Sequence, residues 1–147
     1  MANVCPNIAV KEIVCPHMYT KYGDNAIKFV DPMLIQVLDV IRNQILKCPI
    51  TINNSTWKQR GFRCNLCQLV ADKTKAGKLY LTAHALGKAI DFSCKSYTVP
   101  QVHNLIKKNA NLLPCKIRLE SPENAPTWTH FDLMTYGQKD KVYVFRA

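Results

Sequence analysis

The stretch LTAHALGKAIDF, residues 81–92, sets His84 and Asp91 seven positions apart with Gly87, Ala85 and Ala89 between them, and it flanks the carboxylate with Ile90 and Phe92. An aspartate inside an apolar run is penalised by lost hydration unless a charge or a hydrogen-bond donor meets it. The pattern reads as a loop or short helix around His84 that leads into a strand over residues 88–93. What meets Asp91 then decides how the rest of the chain is arranged.

A second polar group lies further along, in WTHFDL, residues 128–133. The two-residue period of a strand puts Trp128, His130 and Asp132 on one face, with Thr129, Phe131 and Leu133 on the other. Catalytic zinc sites use three protein ligands of nitrogen and oxygen type and keep one position open, and His84, Asp91 and His130 form such a set. A cation is also the partner that an apolar-flanked carboxylate requires.

Outward from these motifs the chain alternates between helical and extended patterns. DPMLIQVLDVIRNQIL, residues 31–46, has Asp31 as helix cap, Pro32 at the first helical position, and Leu34, Val37, Leu38, Ile41 and Ile45 at helical spacing. A short strand is predicted in PITINN, then a loop with Trp57 and Gly61, and a helix over residues 64–73. Thr98, Val99 and Pro100 open a further helix that ends before Pro114. CKIRLE, WTHFDL and KVYVFR close the chain as strands. Helices early and strands late predict an α+β fold with a mostly antiparallel sheet and flanking helices.

At 147 residues, 48% of them hydrophobic, the chain has the size and composition of one domain covering residues 1–147. Its net charge of +10 favours polyanionic surroundings, among them nucleic acid, anionic lipid and cell-envelope polymers. The lysines are scattered and no recognition-helix or aromatic RNA-binding pattern accompanies them, so nucleic acid is not the expected partner. Pro6, Lys11, Glu12 and Pro16 interrupt the N-terminal stretch, and the apolar runs are shorter than a membrane helix needs. The expectation is cytoplasmic synthesis without a signal peptide and no membrane insertion. Seven cysteines are then expected as free thiols. CNLC, residues 64–67, has zinc-knuckle spacing, but no second pair follows at the usual distance, and its cysteines read as small buried side chains on a helix. His17 and His103 show no partner set and are expected at the surface or in the core.

AHALGKAIDF followed by WTHFDL resembles the HxxGxAxD and WxHxD signatures of the zinc D-alanyl-D-alanine carboxypeptidase and murein endopeptidase superfamily, whose metal-binding fold also occurs in hedgehog signalling domains. The upstream segments DPMLIQVLDVIRNQI, PITINN and TWKQRGFRC are similar to those of phage-encoded, endolysin-like members, so the resemblance covers about residues 31–133. It implies a hedgehog/DD-peptidase-like fold in which His84, Asp91 and His130 bind Zn2+. It also implies a hydrolase that cuts peptide bonds of bacterial peptidoglycan, as a carboxypeptidase or an endopeptidase, with stem peptides as substrate. The site of action would be the periplasm or cell wall, reached after phage release or injection.

Carried over to this chain, Arg63 falls where the family places an arginine that holds a substrate carboxylate or backbone group, a task suited to a planar fork of donors. Many relatives have a glutamate three residues before the last histidine ligand, whereas this sequence has Thr127 there. Glu120 is the first candidate for the acid/base and Glu123 the second. Asp132 is expected to orient a ligand histidine, and Trp57 either lines the groove or packs. Gly87 would allow close backbone approach near the metal, and Ala89 would keep the site uncluttered. The departure at Thr127 keeps open an inactive, zinc-containing binding or virion-associated module.

Overall fold

The computed structural model describes residues 2–147. It opens with a small antiparallel pair, β1 (Asn3–Cys5) and β2 (Ile8–Ala9), followed by α1 (Val10–Ile13), α2 (Pro16–Tyr22) and a 3-10 segment, Gly23–Phe29. Asp31 then caps α3 (Pro32–Asp39) as its sequence predicts, its carboxylate accepting from the Met33 N–H at 2.9 Å. The helix continues to Leu46, but Val40–Leu46 winds as a π-helix that ends at Lys47 in the left-handed region. Buried Leu34, Val37, Leu38, Ile41 and Ile45 form the inward stripe.

Next come β3 (Ile50–Thr51), a long loop, and α4 (Gln68–Lys75). The expected helix over 64–73 therefore starts later, and both CNLC cysteines precede it. The remainder follows as β4 (Ala89–Cys94), α5 (Val99–Lys108), β5 (Ile117–Glu120), β6 (Thr129–Asp132) and β7 (Val142–Phe145). Thr98 caps α5 in a reciprocal box with Gln101.

The main sheet has the order β3-β4-β6-β5-β7. The fold is α+β, and the pairings β3–β4, β4–β6 and β5–β6 are antiparallel. The one departure from an antiparallel sheet is β7, which lies parallel to β5 at the edge. That geometry is reached because the chain leaves β6 and returns through the Tyr136–Lys139 loop before adding the edge strand on the far side of β5.

Strand alternation gives the sheet two unlike faces. Ile90, Phe92, Ile117, Leu119 and Phe131 point to the core, where α3, its π-helical extension and α5 cover them. Ala89, Asp91, Arg118, Glu120, His130 and Asp132 occupy the alternate positions and therefore share the opposite face. Among the described residues, no helix is long and apolar enough to cross a membrane.

Candidate metal centre

Asp91 of β4 is the direct cross-strand partner of His130 on β6. Its Oδ1 lies 2.8 Å from His130 Nδ1, and its Oδ2 lies 3.3 Å from Nε2 of His84, which the 83–87 turn carries over the sheet. One donor atom from each residue can be chosen so that all lie within 4.8 Å of one another, and all three residues are buried. The structure brings together the three residues that the sequence singles out, and these imidazoles and Arg63 are what meets Asp91.

Hydrogen bonds on the far side of each ring orient the donors. Nδ1–H of His84 donates to the Gly61 carbonyl at 2.9 Å, which turns Nε2 toward Asp91. His130 Nε2 meets Asp132 Oδ2 at 2.8 Å, so its Nδ1 faces Asp91. Asp132 in turn accepts from Arg118 Nε at 2.9 Å and Nη2 at 3.0 Å, and from the Met134 N–H at 2.9 Å. Two imidazoles and one carboxylate with their donor atoms converging, each imidazole held from behind, fit a metal ion.

Without a cation the charges balance internally. Burial pushes the Asp91 carboxyl up, but hydrogen bonds from His130 and His84 outweigh it and hold the group well below the usual carboxylate range. Burial works against a charged His130, yet its hydrogen bonds to Asp132 and Asp91 raise it to about 9. Asp132 is lowered to about 2, burial being overcome by His130 and Arg118.

A cleft of about 470 Å³ opens over this face, and Arg63, Glu120 and Trp128 line it together with the three candidate ligands. A neighbouring cleft of about 540 Å³ shares Arg63, Asp91 and Trp128 and runs on toward Trp57 and Thr127. The trio lines the first cleft, and Asp91 borders both. Arg63 is anchored by Nε donating to the Gln59 carbonyl at 2.6 Å, and its Nη2 lies 3.5 Å from Asp91 Oδ2. Burial raises the Glu120 carboxyl above its ordinary value. Glu123 lies outside the cleft lining, exposed and 3.3 Å from Arg146. Trp57 is 49% exposed and stacks on Arg60 at 4.3 Å, so it borders the groove and is not a core residue.

Gly87 turns the chain at φ +68°, where a Cβ would come within 2.3 Å of the Phe29 carbonyl oxygen. His103 is buried in α5, away from either cleft, and burial, with Lys107 adding, pushes it down to about 4. His17 departs from its expected isolation: it converges with Cys15, Cys64 and Cys67, which also corrects the reading of CNLC as an incomplete ligand set. Arg118 is absent from the expected site, although it sits two residues before Glu120 in CKIRLE and period two alone puts both on one face. The Gly61 carbonyl carries no residue-type signal at all. No known protein family matches this chain, and neither does a curated protein or a solved structure.

Proposed function

We propose that the protein is a zinc-dependent peptidase that hydrolyses peptide bonds in bacterial peptidoglycan. The observation carrying this reading is the convergence of His84, Asp91 and His130 in an open groove also lined by Glu120 and Arg63. Two imidazoles and a carboxylate suit zinc, and a zinc ion held by His84, Asp91 and His130 would supply Lewis acidity to a carbonyl and a water. The choice of peptidoglycan rests on the motif resemblance, with the basic groove wall of Arg60, Arg63 and Lys58 suited to substrate carboxylates.

In this reading Glu120 takes a proton from the attacking water as its oxygen bonds to the carbonyl carbon. The same carboxyl then returns the proton to the amine nitrogen as the carbon–nitrogen bond breaks. A carboxyl raised by burial is a stronger base than one in water, which suits that exchange. Arg63 holds the substrate carbonyl or terminal carboxylate in line with the trio.

Thr127, where many members of the superfamily it resembles carry a glutamate, favours a second reading: a metal-containing module that binds wall peptides without cutting them. Incubating zinc-loaded protein with defined muropeptides and identifying products by mass spectrometry separates the two. The peptidase reading expects new amine and carboxyl termini, with the rate reduced about 10²–10⁴-fold in Glu120→Gln at unchanged metal content. Intact muropeptides that nevertheless bind the zinc-loaded wild type would establish the module instead.

A further inference from the structure

A second group of donors assembles from segments far apart in the chain. Cys15 and His17 lie at the start of α2, and Cys64 and Cys67 lie in the turn that precedes α4, His17 and Cys64 being 47 residues apart. A parallel bridge between Val14 and Phe62 brings them together, with the Phe62 N–H donating to the Ile13 carbonyl at 2.8 Å and the Cys15 N–H to the Phe62 carbonyl at 3.1 Å. Gly61 permits that approach, because a Cβ there would sit 2.2 Å from the Ile13 carbonyl oxygen.

The spacing of the donor atoms is that of a coordination shell. His17 Nδ1 lies 3.5 Å from Cys64 Sγ and 3.9 Å from Cys67 Sγ, and the two sulfurs are 4.0 Å apart. With Cys15 included, all four donors fall within 4.8 Å of one another. A tetrahedral zinc ion with ordinary bond lengths separates two thiolates by about 3.8 Å and a thiolate from an imidazole nitrogen by about 3.6 Å. A disulfide needs its sulfurs about 2.05 Å apart, and it would leave the third thiol and the imidazole unexplained. The Leu66 N–H points at Cys64 Sγ from 3.4 Å, which fixes that sulfur's position.

We infer that Cys15, His17, Cys64 and Cys67 bind a structural zinc ion. Three thiols and one imidazole fill all four positions, so this ion has no place for substrate. On binding, the thiol protons pass to solvent and the sulfurs coordinate as thiolates. The ion clasps the N-terminal segment to the loop that carries Arg63 and the Gly61 carbonyl behind His84. The assignment stands independently of the peptidase reading.

The test uses the full chain, kept reduced and loaded with Co2+ in place of zinc. The wild type is expected to take up two ions per chain and to show an intense near-ultraviolet sulfur-to-cobalt charge-transfer band. Asp91→Ala should keep that band, because the trio holds no sulfur. Cys64→Ser removes one of the three sulfur donors and should weaken the band. His17→Gln, which alters an exposed side chain, should weaken and shift the band even if Cys64→Ser fails to fold. A wild type without the band, or a band untouched by His17→Gln, overturns the assignment, whether or not any muropeptide is cleaved.

Discussion

Asp91 and His130 face each other across the β4–β6 pair with Oδ1 and Nδ1 2.8 Å apart, and His130 is held from behind by Asp132, itself clamped by Arg118. This chain of contacts runs along one face of three adjacent strands. It keeps the His130 imidazole in a single orientation, and in a buried setting each link polarises the next. The consequences concern metal affinity first and stability second.

Asp132→Asn replaces the carboxylate behind His130 with an amide that holds the ring less firmly. Zinc affinity at the trio should fall about 10–100-fold, measured by competition with a chelating dye in the chain whose cysteines are all retained, as the difference from the parent. Circular dichroism should remain that of the parent. Unchanged affinity would mean that Asp132 does not orient the ligand.

Because His130 is raised to about 9 in the metal-free chain, it carries a proton at neutral pH that coordination through Nδ1 must displace. Apparent zinc affinity at the trio should therefore increase about tenfold per pH unit between pH 7 and about 9, then flatten. The sign is that of a raised group: the charged imidazole stabilises the metal-free state fully below its ordinary value of 6.5, and that stabilisation is lost as pH rises through about 9. Calorimetry in buffers of differing ionisation enthalpy should register this proton, and a flat affinity profile contradicts the assignment of Nδ1.

Gly87→Ala puts a Cβ into the Phe29 carbonyl at a backbone angle that suits glycine. The Asp31 N–H donates to the Gly87 carbonyl at 3.0 Å, so the turn cannot move without disturbing the start of α3. A loss of at least about 2 kcal/mol in urea unfolding is expected. The displaced turn should also weaken metal binding through His84.

Lys88 Nζ donates to Asp31 Oδ2 at 2.7 Å, joining the turn before β4 to the cap of α3. That hydrogen bond is the main reason the Asp31 carboxyl lies below its ordinary 3.8. A lowered carboxyl contributes stability above 3.8, and the contribution is lost as pH falls through the lowered folded value. Both side chains are partly exposed, so Lys88→Met should cost no more than about 1 kcal/mol at pH 7 and less in strong acid. Equal destabilisation at both pH values would place the effect in packing.

Much of the site was legible in local pattern. Alternation in WTHFDL put His130 and Asp132 on one face, and an aspartate between Ile90 and Phe92 announced a partner, because buried charge requires one. The helix over residues 31–46 was equally plain from its spacing, although spacing says nothing of the π-helical second half. Glu120 and Glu123 were indistinguishable as residue types. The strand end in IRLE puts Glu120 first, and the sheet directs it into the groove while Glu123 turns toward Arg146.

By itself, then, the sequence determined which side chains share a strand or helix face, since helical and strand periods are short-range properties of the backbone. It also determined where α3 and α5 begin, through caps that bond to amides within a few residues. Tertiary structure alone decided that β7 joins parallel to β5, that Arg118 clamps Asp132, and that Cys15 and His17 reach Cys64 and Cys67 through the Val14–Phe62 bridge. These contacts join segments distant in the chain, and their register follows from burying one shared core, which no local spacing encodes.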